Sequence, residues 1–194
     1  MKVLIVYCHP CINSFTASMK EAFVRGLEES NHEYKILDLY QMNFDETFSE
    51  QEYLREAFYN DHLELSKEIK EQQELVNQSD ALVFIYPVFW SEAPSKLVGW
   101  FQRVWTYGFA YGNHATMKQL GKVLMLVSMG GDLSQPLRQK QVAAMKEVML
   151  EDRISDRAKT KEMIIFERTS RDYPERQLYF DKYLKQAYQL GKEF

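Results

Sequence analysis

Five short apolar runs, separated by segments of helical period, constrain this fold more than any other feature of the sequence. The first, third and fourth runs are almost continuously apolar, which is typical of strands buried on both faces of a parallel sheet. Lys35 and Asp38 interrupt the second run, so we expect it to be an edge strand. The five runs are Val3–Tyr7, Tyr34–Leu39, Ala81–Tyr86, Val123–Ser128 and Met163–Phe166.

The segments between these runs carry helix-start signals. Ser14 is placed to cap a helix, Pro94 and Pro136 to open two more, and a last helix is expected from about Pro174. Alternating strands and helices predict an α/β fold whose parallel sheet is covered on both faces. The acidic stretch 45–78 is long for a connection, and we interpret it as a helical excursion before the third strand. We expect residues 1–194 to form a single domain.

Composition and charge argue against several classes of protein. The chain has 194 residues and a formal net charge of −4, which leaves no basic face for nucleic acid. No apolar run reaches the length of a membrane span, and the first run is too short for a signal peptide. Cys8 and Cys11 have the spacing of a redox or zinc pair, but the sequence contains no other cysteine to complete a zinc site. We interpret them as unpaired thiols of a cytoplasmic protein without a metal.

Ligands of open parallel sheets bind beyond the carboxyl ends of the strands, so the loops after the first, third and fourth strands are the candidate site. The first loop places His9, Asn13, Ser14 and Thr16 at the start of a helix, where a phosphate would find N–H donors. No glycine-rich dinucleotide motif or Walker lysine is present. Asn13 and Ser14 are equally well explained as helix caps alone.

The other two loops supply an aromatic pair and two glycines. Phe89 and Trp90 follow the third strand, where they would stack on a flat ligand, contact another subunit or fold back onto the core. Gly130 and Gly131 follow the fourth strand and let a ligand approach the backbone. Phosphate donors, an aromatic wall and glycine amides together suit a flat heterocycle tethered to a phosphate, which indicates a flavin.

Several segments carry a resemblance that extends over about the first 135 residues. The sequence resembles the NAD(P)H:quinone reductase family, also called DT-diaphorase-like, which includes bacterial flavodoxin-like reductases and ancillary subunits of potassium efflux systems. The matching segments are 6–16, 38–44, Tyr86–Pro94, Lys96–Val104, Gly108–Tyr111 and Ser128–Gly131.

The resemblance implies a flavodoxin-like three-layer sandwich with five parallel strands in the order 2-1-3-4-5. It implies that the flavin phosphate and ribityl chain lie near His9, Asn13, Ser14, Phe15 and Thr16. It also implies that the isoalloxazine lies among Pro87, Val88, Phe89, Trp90, Ser91, Ser128, Met129, Gly130 and Gly131. Tyr111 is similar to an aromatic residue that lines the substrate pocket, often that of the neighbouring subunit. Tyr111 or a water is the candidate proton donor to the acceptor.

The implied activity is ping-pong hydride transfer from NAD(P)H through the flavin to a quinone-like acceptor, by a homodimer whose active site lies at the interface. FMN is favoured over FAD, because the extension that holds an adenine in larger members is missing. Met129 departs from the threonine of the family, and no Tyr and His pair follows the glycines. Two alternatives stay open: an electron-transfer carrier of flavodoxin type, and a flavin-binding regulatory subunit of a potassium efflux transporter.

Overall fold

The computed structural model describes residues 1–194 and contains five parallel strands in the order β2-β1-β3-β4-β5. The α/β class predicted from the sequence pattern and the strand order that the resemblance implied are therefore confirmed. The strands are β1 (Lys2–Tyr7), β2 (Glu33–Asp38), β3 (Ala81–Pro87), β4 (Leu120–Ser128) and β5 (Ala158–Phe166). The helices are α1 (Phe15–Glu29), α2 (Glu50–Ala57), α3 (Lys67–Gln78), α4 (Ser95–Val104), α5 (Pro136–Lys146), which continues into π-helical turns over Glu147–Ile154, and α6 (Arg176–Lys192).

Burial of the strands follows their position in the sheet. Every residue of β3 is buried, whereas β2 at one edge buries only Leu37, as the interrupted pattern predicted. The strand at the other edge, β5, begins five residues before the predicted Met163. The sequence pattern missed this first half because it is charged. Backbone pairing of Ala158 with Leu120 extends the strand there, and an exposed edge needs no apolar side chains to form such a pair.

Alternate residues of the central strands supply two separate cores. Val3 and Ile5 belong to the core on the face covered by α1 and α6, and Leu4 and Val6 to the core on the opposite face. Because successive side chains of a strand point to opposite faces, a sheet with apolar residues at every position must be covered on both sides. The result is the three-layer sandwich that the resemblance implied.

The acidic stretch 45–78 contains two helices with different roles. α3 buries Ile69 and Val76 in the core and returns the chain from β2 to β3, as the crossover of a parallel sheet must. α2 is the additional helix, which the crossover does not need. Arg103 of α4 holds it in place through an ion pair of 2.7 Å between Nε and Oε1 of Glu52. None of the helices combines the length and apolar content that crossing a membrane requires.

Two glycines let α1 and α6 approach each other closely. A Cβ atom on Gly26 would lie 2.1 Å from the carbonyl oxygen of Tyr188, and one on Gly191 would lie 2.1 Å from that of Phe23. Both obstacles are backbone atoms, which cannot swing away as a side chain can. The two helices therefore cover their face of the sheet only if both positions lack a side chain.

We expect Gly26→Ala to lower the free energy of unfolding by about 1–3 kcal/mol, the usual effect of overpacking. In an exposed helix position the same change would stabilise by up to about 1 kcal/mol, so the sign of the effect tests the close approach. Urea denaturation measures it, with Glu21→Ala on the exposed face of α1 as the control. A stabilising Gly26→Ala would contradict the packing described.

Candidate active site

Three loops meet at the carboxyl edge of the sheet, where the sequence predicted a ligand site. The N–H of Val88 donates to the carbonyl of Ser128 at 2.8 Å, which joins the β3 and β4 loops. The hydroxyls of Thr16 and Ser128 lie 2.8 Å apart and are buried, which joins the start of α1 to the end of β4. The β1, β3 and β4 loops are thus held together by hydrogen bonds from both neighbours to Ser128.

The β1 loop presents unpaired backbone donors at the start of α1. Ser14 caps the helix, since its Oγ accepts the N–H of Ala17 at 3.1 Å. The N–H groups of Phe15 and Thr16 have no acceptor in the protein, and Asn13 is exposed beside them. The capping role of Ser14 and a phosphate-binding role of the loop are therefore compatible, because they use different donors.

His9 is held as a neutral donor in the same loop. The N–H of Cys11 donates to its Nδ1 at 2.9 Å, so the proton of the neutral ring resides on Nε2. Burial lowers the pKa of His9 below its ordinary value of 6.5, and the N–H of Cys11 can donate to Nδ1 only while that nitrogen carries no proton. The ring can therefore donate a hydrogen bond to a ligand without bringing a positive charge.

Two of the predicted residues use their side chains for packing. The Phe15 ring stacks on Phe180 of α6 with centroids 4.2 Å apart, and the Thr16 hydroxyl is occupied by Ser128. What these two residues offer a ligand is their backbone N–H. This distinction is invisible in the sequence, because it depends on partners more than 100 positions away.

The β3 loop holds an aromatic residue out into solvent on a tight turn. Phe89 and Glu92 exchange backbone hydrogen bonds of 2.9 and 3.0 Å, and the two residues between them have φ values of 57° at Trp90 and 78° at Ser91. Such left-handed conformations favour glycine and cost about 1 kcal/mol or more for other residues. The Trp90 side chain is 98% exposed and that of Phe89 45%, so neither folds back onto the core.

A cavity of about 410 Å³ lies between these loops. The predicted residues that line it are Val88, Trp90, Ser91, Met129, Gly130 and Gly131. Pro87 and Ser128 are buried ends of strands beneath it. Five further lining residues were not predicted, namely Arg138, Gln141, Ser170, Asp172 and Tyr173. The last three follow β5, whose carboxyl end lies at the same edge, so the rule that selected the other loops would have found this one too.

Tyr111 lies near the amino ends of the strands, opposite to the edge of the sheet that holds the cavity. Its loop joins α4 to the start of β4, and Arg157, just before β5, donates from Nε to the carbonyl of Ala110 at 2.7 Å. The Tyr111 hydroxyl donates to Oε2 of Glu56 at 2.6 Å. Burial and this carboxylate raise the pKa of Tyr111 above its ordinary value. Within one chain Tyr111 therefore does not reach the cavity.

A comparison with known protein families identifies the family of this chain. The model of the Flavodoxin_2 family, described as a flavodoxin-like fold, matches residues 1–155. The chain belongs to this family. Membership in Flavodoxin_2 confirms the fold that the resemblance implied, and the relatives named below confirm the quinone-reductase resemblance itself.

Known relatives of this Flavodoxin_2 protein include two quinone oxidoreductases. The structure of an NAD(P)H:quinone oxidoreductase from Methanothermobacter marburgensis has a TM-score of 0.92 and 36% identity, covering 100% of this chain and 96% of that one. NAD(P)H dehydrogenase (quinone) 1 of Cavia porcellus is 32% identical over 151 residues, covering 69% of this chain and 54% of that protein. The chain thus spans about half the length of the curated relatives it matches first.

A more distant structure shares the fold alone. An FMN-dependent NADH-azoreductase from Bacillus anthracis, in complex with FMN, has a TM-score of 0.66 and 17% identity, with 98% of this chain and 99% of that one covered.

We expect NMR to show the His9 ring protonated at Nε2 and titrating below 6.5, since burial disfavours the charged ring. Because the unfolded imidazole then takes up a proton that the folded one refuses, the free energy of unfolding falls as the pH drops through about 6.5. His9→Gln removes that part of the fall. A His9 pKa at or above 6.5 would contradict the neutral-donor assignment.

Proposed function

We propose that this protein is a flavin-dependent NAD(P)H oxidoreductase that reduces quinones or similar acceptors. The observation that carries the proposal is the cavity between exposed Trp90 and the Gly130–Gly131 turn, beside unpaired N–H donors at the start of α1. The relative from Methanothermobacter marburgensis, which matches this chain over its whole length, is named for the same reaction.

The residues of the site fit a flavin. The free N–H groups of Phe15 and Thr16 would hold its phosphate, as helix starts do. Val88 and Trp90 would flank the ring, and the bare backbone of Gly130 and Gly131 would face it. We favour FMN over FAD, since the azoreductase that shares the fold holds FMN. When bound, the flavin supplies hydride transfer between NAD(P)H and the acceptor.

The chain contributes position and electrostatics to this reaction. Backbone N–H groups at the edge of the ring would stabilise negative charge that develops there on reduction. The reductant and the acceptor would use the same place in this cavity in turn. This arrangement gives ping-pong kinetics, in which the first product leaves before the second substrate binds.

We further propose a homodimer in which each copy completes the site of the other. Tyr111 lies at the edge opposite to its own cavity, so only a second copy in reversed orientation could bring it to the ring. Aromatic side chains are exposed on both edges, with Trp90 beside the cavity and Phe58 and Tyr59 near the Tyr111 loop. Exposed aromatic groups at both positions are typical of an interface.

Both cysteines are free, which fits a cytoplasmic protein.

The two alternatives make different demands on the same site. A one-electron carrier needs an exposed ring edge and no substrate pocket, whereas the 410 Å³ cavity leaves room for a substrate. A regulatory subunit of a transporter would use its flavin as a sensor, with the acidic face of α2 and α3 as a docking surface. The relatives reported above are named as oxidoreductases, which favours the enzyme.

We expect the FMN-loaded protein to be bleached fully by NADPH or NADH in an anaerobic titration, with two electrons taken up per flavin. Stopped-flow absorbance then shows reoxidation by a quinone. Parallel loading with FAD tests the preference for FMN. A flavin that ignores both nicotinamides would overturn the enzyme proposal in favour of the carrier or the sensor.

We expect Tyr111→Phe to lower kcat with a quinone about tenfold, the loss of one hydrogen bond at the site, and Gly130→Trp to abolish activity by filling the cavity. Mixed dimers of the two variants, formed by refolding together, should regain activity that exceeds the average of the parents. They contain one site with intact loops and an intact partner tyrosine. Mixtures that stay at the average would overturn the shared site, as would a monomer in sedimentation.

A further inference from the structure

The cavity contains an arginine whose charge no group of the protein neutralises. Four other arginines lie within 4.0 Å of a carboxylate, and these are Arg55, Arg103, Arg153 and Arg168. Arg157 spends its donors on three backbone carbonyls. Arg138 is half-buried, lines the cavity and makes one hydrogen bond, from Nη1 to Oε1 of Gln141 at 2.9 Å.

Two features of the sequence hold Arg138 at the wall of the cavity. A Cβ atom on Gly131 would lie 2.9 Å from its Nε and 3.1 Å from its Cδ, so the absence of a side chain there makes room for the guanidinium. Gln141, three residues further along α5, restrains the other end of the group. A guanidinium has five N–H donors, and most of those of Arg138 remain available.

Neither of the neighbouring carboxylates forms an ion pair with Arg138. Asp132 pairs with Arg168 at 2.9 Å. Asp172 lines the same cavity, but its Oδ2 accepts the Ser170 hydroxyl at 3.0 Å and it lies beyond ion-pair distance of Arg138. A half-buried cation with free donors and no ion-pair partner is suited to an anion that arrives with a ligand, because the planar fork binds carboxylates and phosphates through two bonds.

We propose that Arg138 binds an anionic group, a carboxylate or a phosphate, of the substrate that enters the cavity. The inference rests on the proposed function and adds to it the chemical class of the substrate. The anion has two possible sources, a phosphate of the nicotinamide nucleotide or a carboxylate on the electron acceptor. In both cases Arg138 determines specificity, and hydride transfer itself does not involve it.

Binding without turnover tests the proposal on the FMN-loaded protein. Calorimetry measures the dissociation constants of an anthraquinone carboxylate and its neutral carboxamide, and of NADP⁺ and nicotinamide riboside, which has no phosphate, with no reductant present. We expect Arg138→Gln to weaken binding of the carboxylate- or phosphate-bearing member of one pair about tenfold or more, the loss of a charged hydrogen bond, and to leave the other member unchanged. Arg138→Lys should lose less, since it keeps the charge and loses the fork.

Gln141→Glu is the sharpest variant, because it leaves Arg138 in place and supplies a carboxylate next to Nη1. That internal ion pair should compete with the ligand and weaken anion binding as Arg138→Gln does. Arg171→Gln is the matched control: it removes the same charge from an exposed position on the β5 loop, outside the cavity lining. We expect it to leave all four dissociation constants unchanged.

The pair that responds identifies the source of the anion. Equal weakening of the members with and without the carboxylate or phosphate, no weakening in either pair, or a change confined to FMN affinity would each overturn the proposal. Because no turnover is involved, preferential anion binding by a protein that cannot oxidise NAD(P)H would refute the proposed function and leave the anion site standing. Turnover without this preference would do the reverse.

Discussion

Parallel pairing of β1, β3 and β4 is the constraint on which the rest of this structure depends. The register places Tyr7 beside Ile85 and Pro87 beside Ser128, so the carboxyl ends of the three strands finish within a few residues of one another. The loops that follow these strands therefore lie next to one another. The buried hydroxyl pair of Thr16 and Ser128 then joins loops that are 112 positions apart in the chain. Without the sheet, none of the candidate ligand groups would be neighbours.

Local conformational preference gives way at the site itself. Trp90 and Ser91 occupy backbone conformations that suit glycine or asparagine, and the tryptophan is almost fully exposed. Elsewhere the sequence agrees with its structure, as where Ser14 caps α1 and Pro136 opens α5. Disagreement between local preference and structure is expected where function outweighs stability. The strained turn holds the Trp90 ring in solvent, and the second copy of the proposed homodimer would cover that ring.

The cavity and Tyr111 lie at opposite ends of the strands. The carboxyl edge holds the cavity with Arg138 in its wall, beside the unpaired N–H groups at the start of α1. The amino edge holds Tyr111, anchored by the carboxylate of Glu56. A single chain cannot bring these edges together, since the sheet separates them. In the proposed homodimer, two copies in opposite directions would bring Tyr111 of each to the cavity of the other, which is why the dimer and the shared site form one proposal.

The sequence by itself determined the alternation of five strands with helices, apart from the start of β5 and the division of the stretch 45–78 into α2 and α3, together with the edge position of β2 and three of the loops that form the site. These features are local, because burial on both faces, helix caps and loop composition are all written within a few neighbouring residues. The features that the sequence did not predict also have a physical reason. That Trp90 points outward, that the side chains of Phe15 and Thr16 pack inward, that Arg138 and the β5 loop join the cavity and that Tyr111 lies at the far edge depend on contacts between distant segments. Only the tertiary structure decides such contacts, since pairing across the sheet leaves no periodic trace in the chain.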